Sequence, residues 1–160
     1  MNNSRKLNEF FTFLKSYPEQ KHDFLRAILH ISYFDGRQEG EDILLTIINN
    51  YLLELDDSDY KKLQKLQKTI AQNGASVRKA EDYFFSVNDH LPNEWREIHF
   101  NLCVALMLAD GELSDNEWKF ISKLSQGLEK TSRPSMLEQA AEILNFLRRM
   151  AAEKLGMHYP

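Results

Sequence analysis

Apolar and polar positions alternate with a helical period along nearly the whole chain. Between Ser4 and Tyr17, the residues Leu7, Phe10, Phe11 and Leu14 fall at i, i+3, i+4 and i+7, which predicts a first helix closed with the help of Pro18. Phe24, Leu25, Ile28, Leu29 and Ile31 repeat that spacing up to Phe34, where Asp35-Gly36 ends the run, because glycine readily takes the left-handed conformation that closes a helix. From Glu41, the residues Ile43, Leu44, Ile47, Ile48, Tyr51 and Leu52 predict a third helix buried over most of its circumference. Asp57-Ser58-Asp59 offers capping oxygens to a fourth, which carries Leu63, Leu66 and Ile70 among lysines and glutamines and stops at Asn73-Gly74. Its polar majority places it on the surface.

Ser76 is suited to cap a fifth helix bearing Val77, Ala80, Phe84 and Val87, and Asn88-Asp89-His90-Leu91-Pro92 breaks the pattern. A sixth helix is expected from about Asn93 to Ala109, with Trp95, Ile98, Leu102, Ala105 and Met107 on its apolar face and burial all round over Leu102 to Ala109. Asp110-Gly111 closes it. Ser114 and Glu117 have the spacing of a capping box and open a seventh helix through Trp118, Ile121 and Leu124 to Gly127. Ser132-Arg133-Pro134 opens the last, which carries Met136, Ala140, Ile143, Leu144, Leu147 and Met150 and ends before Gly156. No segment has the period of a strand and no proline falls in the interior of a helical run, so the expected fold is all-α, a single-domain bundle of about eight helices over 1–160.

The two Asp-Gly turns stand at corresponding places. Ile28 to Gly36 lies over Cys103 to Gly111, and Ile43, Leu45 and Ile48 downstream meet Trp118, Phe120 and Lys123. This echo predicts an internal duplication with pseudo-two-fold symmetry, repeat one over about 20–55 and repeat two over about 93–128, followed by a C-terminal helix over about 133–155.

Composition narrows the class of protein. A chain of 160 residues suits one core, and 42% hydrophobic with 28% charged residues is an ordinary globular balance. The net charge is −4 and the basic residues are scattered, so the electrostatic footprint of a nucleic-acid binder is missing. The longest apolar stretch, Leu102 to Ala109, falls far short of the roughly 20 residues that cross a bilayer, and the start MNNSRKLNEF has no apolar signal region. A cytoplasmic protein without membrane insertion is expected. Cys103, the one cysteine, excludes an intramolecular disulfide and a cysteine zinc cluster and reads as a small core residue.

The segment Ala109-Asp110-Gly111-Glu112-Leu113-Ser114-Asp115-Asn116-Glu117, between two apolar helices, resembles the signature of the tellurite resistance protein TerB family. Phe34 to Asp42 looks like the same element in degenerate form, with Arg37 where the second copy has Glu112, Glu39 where it has Ser114, and Asp42 where it has Glu117. The similarity runs over both turns and their flanking helices, from about Phe24 to Gly127. The resemblance implies an all-helical, pseudo-two-fold, non-enzymatic domain linked to tellurite resistance and stress response. It also implies that acidic residues around the turns, here Asp35, Glu39, Asp42, Asp110, Glu112, Asp115 and Glu117, bind a divalent metal ion.

The residues themselves allow that chemistry and also a simpler one. Asp110, Glu112, Asp115 and Glu117 gather four carboxylates in one short segment, the oxygen-rich ligand type that Ca²⁺ and Mg²⁺ prefer. This is not an EF-hand loop, since Asp115 stands where such a loop needs glycine and Ile121 where it needs glutamate. Without an ion, Ser114, Asp115 and Glu117 would cap the seventh helix, where acidic groups gain about 0.3–1 kcal/mol each from the helix dipole. Asp110 is less easily explained, because it faces the negative end of the sixth helix.

Two other readings compete. Phe10, Phe11, Phe13 and Tyr17 make an aromatic first segment with Phe13 off the main stripe, which suits core packing of most of these rings and, for what is left exposed, an interaction scaffold docking a protein partner or a second copy of the chain. His22-Asp23 resembles the dipeptide of helical metal phosphohydrolases, and His30 and His99 would have to join it through packing. Without a nucleophile elbow, a phosphate loop or H-E-x-x-H, no enzyme is expected.

Overall fold

The computed structural model describes residues 2–34, 39–109, 113–126, 128 and 133–156. These form eight α-helices: α1 (Asn2–Ser16), α2 (Pro18–Ser32), α3 (Glu39–Ile47), α4 (Asp57–Asn73), α5 (Val77–Asn88), α6 (Asn93–Leu108), α7 (Asp115–Leu124) and α8 (Arg133–Leu155). Among the described residues there is no strand, and no helix is long and apolar enough to cross a membrane.

The helix starts follow local chemistry. Pro18 stands at the first position of α2, where its missing N–H costs nothing. Ser76 Oγ accepts from Lys79 N–H at the head of α5, and Ser114 with Glu117 forms the capping box of α7. The cap of α4 is Asp56, one residue before the expected Asp57-Ser58-Asp59. Its carboxylate accepts from Asp59 N–H at 2.8 Å, while the Asp59 carboxylate reaches back to Asp56 N–H at 3.3 Å. Gly74, with φ 82°, closes the far end of α4 in a conformation that a side chain would strain.

The third helix departs from expectation. Instead of continuing uniformly to Leu52, α3 widens into a π-helical turn over Ile48–Leu52, sealed by Leu53 N–H to Ile48 C=O at 2.8 Å. The apolar positions of this run suit either winding, so the extra residue in the turn leaves no mark on the hydrophobic pattern. Directly after it, Glu54 adopts φ 52°, the left-handed region, while Lys15 donates to its carboxylate at 3.1 Å.

α2 lies along α5, and α6 along α8; α3 packs on α8, α7 on α5, and α2 meets α6 in the centre with α1 laid across both. α4 rests against α2 on the outside. The core is aromatic at its heart. Phe10 and Phe24 meet edge to face at 5.5 Å, and the ring of His99 stacks on Phe84 at 4.2 Å. Cys103 is fully buried there, and burial pushes its thiol up, away from the reactive thiolate. Lys123 on α7 reaches the nearly buried Glu81 on α5 at 2.9 Å.

Candidate functional site

The acidic turns occupy the connections from α2 to α3 and from α6 to α7. Asp35, Asp110 and Glu112 lie outside the described residues, as do the side chains of Glu39 and Asp42 at the start of α3. Asp115 is exposed at the first position of α7. Glu117 is only 6% exposed and its Oε1 accepts the Ser114 N–H at 2.9 Å, while its own N–H donates to Ser114 Oγ at 3.2 Å. One oxygen of Glu117 is therefore committed to the capping box. Arg148 of α8 donates to the Ala109 carbonyl at 3.2 Å, which sets a guanidinium at the C-terminal end of α6 immediately before the second turn. Such a cation complements the negative end of the helix dipole.

The histidines expected to converge if the chain were a metal phosphohydrolase do not share partners. His22 and Asp23 point to different neighbours: His22 pairs with Asp59 on α4, whereas Asp23 accepts from Arg26 at 2.9 Å and from the Ser86 hydroxyl at 2.7 Å. His30 Nδ1 accepts the Ser76 N–H at 3.0 Å, so the ring proton sits on Nε2, and the ring stacks against Tyr83. Burial, with the Lys79 charge second, lowers its pKa and favours this neutral form. His99 is enclosed by Phe10, Phe24 and Phe84. Among the described residues, no three His, Cys, Asp or Glu side chains are grouped to hold a metal ion.

The strongest electrostatic cluster is one that no local motif announces. Asp59, 5% exposed, accepts from Lys21 Nζ and from His22 Nε2, each at 3.0 Å, in addition to the Asp56 N–H. Burial by itself would raise its pKa. The hydrogen bonds of His22 and Lys21, with smaller help from the Asp56 N–H and the Lys21 charge, outweigh burial and hold it down at about 2. The ionised carboxylate is acceptor-only, so His22 Nε2 carries the proton in this contact. All its partners are internal, and the cluster bolts the head of α2 to the head of α4.

A measurable acid response follows. Because Asp59 titrates below its unfolded value of 3.8, its contribution is complete above about pH 4 and is lost as the pH falls towards about 2. The displacement corresponds to about 2 kcal/mol, so Asp59→Asn should remove roughly that much stability at neutral pH and flatten the curve in this acid window. Urea unfolding of both proteins at about pH 7, 4 and 2.5 checks it; parallel curves would contradict the assigned role.

The aromatic first segment is mostly packed inside. Phe10 and Phe11 are core, and the half-buried Phe13 sits between Tyr17 at 4.6 Å and Trp95 at 5.4 Å. Tyr17 is left 51% exposed.

No family model, no curated protein and no solved structure matches the chain.

Proposed function

We propose that this chain is a non-catalytic helical module of the TerB-like kind, serving tellurite resistance or stress response, with a divalent ion, Ca²⁺ or Mg²⁺, held at its Asp-Gly turns. The observation that carries this reading is the pattern of helix packing. Exchanging α2, α3 and α5 for α6, α7 and α8 converts the α2–α5 packing into α6–α8 and the α3–α8 packing into α7–α5, while α2–α6 maps onto itself and α1 touches both central helices. A duplicated fold would pack in this manner, and it would set the two acidic turns at equivalent places. On this reading each repeat is longer than its turn and flanking helices, the first running on to α5 and the second to α8. α4, which packs on α2 and has no counterpart, is an insertion in the first repeat.

In the second turn the proposed ligands are Asp110, Glu112 and Asp115, with Glu117 contributing chiefly as the helix cap. Arg148 competes as a fixed positive charge, so binding is expected to be weak, of the order of 10⁻⁴–10⁻³ M as in other low-charge oxygen sites. The first turn, with Asp35, Glu39 and Asp42, carries Arg37 and is expected to bind less. Direct capture of a tellurium oxyanion is not part of this reading, because a chain of net charge −4 does not attract anions.

Calorimetric titration of the full chain with CaCl₂ and MgCl₂ tests it. Binding in the range of about 0.1–1 mM that disappears in the Asp110→Asn/Glu112→Gln double variant, but survives in Glu117→Gln, is the expected result. No heat with either ion, or binding indifferent to the double variant, overturns the metal assignment.

A further inference from the structure

Between α2, the α3–π segment and α4 lies a cleft of about 270 Å³, and none of the described residues that line it belongs to either acidic turn. Its floor is apolar, made by Leu25, Ile28 and Leu29 of α2, and its walls carry neutral amides and a phenol. No charged side chain is among the described residues that line it. Two of the wall residues hold polar atoms that are closed off from solvent and have no hydrogen-bond partner: the Asn49 side-chain carbonyl oxygen and the Tyr60 hydroxyl. Buried polar atoms left unpaired destabilise a fold, and two in the walls of one cleft are a departure that calls for a physical reason.

The backbone at this corner departs from regularity as well. Asn49 belongs to the π-helical turn, and the left-handed Glu54 follows it. π-turns and strained non-glycine residues are recurrent at binding sites because they hold side chains where a regular helix would not. Burial, followed by the nearby Asp59 charge, raises the Tyr60 pKa, so the phenol stays protonated and can donate.

We propose that this cleft binds a small, uncharged ring amide, a molecule with an N–H donor next to a carbonyl acceptor. The N–H donates to Asn49 Oδ1, Tyr60 O–H donates to the carbonyl, and the flat apolar face of the ring lies on the leucine and isoleucine floor. Because neither atom is open to solvent, binding requires side chains of the cleft wall to move aside, and Asn50 and Gln64 are the exposed amides among them. Anionic and zwitterionic ligands are disfavoured, because a charge in this cleft would lose hydration with no counter-charge to replace it. This inference does not depend on the metal reading and uses none of its residues.

Uracil is the probe, with 1,3-dimethyluracil, which keeps both carbonyls and lacks both N–H donors, as its control. Titration of the ¹⁵N-labelled full chain should give saturable amide shifts confined to 25–29, 45–50 and 60–67, with half-saturation at about 1 mM or below for uracil and at least about ten-fold weaker for the dimethyl compound. Asn49→Leu and Tyr60→Phe should each weaken uracil about ten-fold or more and leave the thermal midpoint unchanged or higher, because each removes an unpaired buried atom. The inference is overturned by the absence of shifts up to about 10 mM uracil, by equal binding of the two compounds, or by binding unaffected in both variants. A lowered midpoint in both variants also overturns it, since that would assign the two polar atoms to internal or water-mediated bonds that hold the fold.

Discussion

Phe84→Ala should lower the unfolding free energy by about 3–5 kcal/mol, a large part of what holds a domain of this size together. Phe84 has no exposed surface, lies on α5 where that helix packs along α2, and stacks on His99 at 4.2 Å with its rings 13° from parallel. Phe85 meets it edge-on at 5.4 Å. Removing the ring takes away its transfer free energy and leaves a hole whose walls come from α2, α5 and α6, helices locked by their other contacts and poorly able to collapse. Urea unfolding at about pH 7 provides the number. A loss below about 1 kcal/mol would mean that Phe84 is not the core element this packing makes it.

Acid should destabilise the protein through His99. This ring is fully buried, its Nε2 has no partner, and its Nδ1 lies 3.4 Å from Asn88 Oδ1, a long contact in which the imidazole is the donor and the amide oxygen the acceptor. Burial lowers its pKa from 6.5 to about 3 in the folded protein. Above pH 6.5 neither state holds the proton, so stability is unaffected; below it, the unfolded chain gains a proton that the folded chain refuses. Stability therefore falls by about 1.4 kcal/mol per pH unit through this window, or about 2 kcal/mol by about pH 5. His30, whose pKa burial also lowers, adds in the same direction.

His99→Phe isolates the effect, because a ring of similar shape remains within the cage of Phe10, Phe24 and Phe84 without a titrating group. Between about pH 7 and 5, the loss of stability should be smaller in the variant than in the parent by about 2 kcal/mol. Equal losses in the two proteins would show that His99 takes up its proton in the folded state. The two core predictions are coupled: the space left by Phe84→Ala eases protonation of the neighbouring imidazole, so the pH slope should be shallower in that background.

Helix positions were readable because they depend on neighbours a few residues apart. Leu7, Phe10, Phe11 and Leu14 share one face at any helical register, and all four are buried in α1. Ser114 and Glu117 cap α7 through a bond between residues three apart, so the pair could be identified before any packing was known. At α4 the same kind of reasoning missed by one residue. Asp56, Asp57, Ser58 and Asp59 are all competent caps, and the chain's entry from the π-turn selects Asp56 while Asp59 takes the reciprocal place and its two distant partners, Lys21 and His22.

For the candidate sites the division is similar. Ca²⁺ or Mg²⁺ ligation at the acidic turns is a reading of residue types and resemblance, whereas the commitment of Glu117 to its cap and the arrival of Arg148 from α8 beside Ala109 belong to the packed molecule. Asp59 with Lys21 and His22, the unpaired Asn49 and Tyr60 in one cleft, and the aromatic enclosure of His99 had no sequence signal, because each depends on helices separated along the chain.

Period, caps and breakers are short-range energetics written into consecutive residues, and they specify an all-helical protein and most of its helix ends to within a few residues. Which helices touch, where α3 widens, and which charged or polar groups lose water are settled by the simultaneous burial of many faces. Local propensities barely distinguish those alternatives, and desolvation in the assembled core separates them by several kcal/mol.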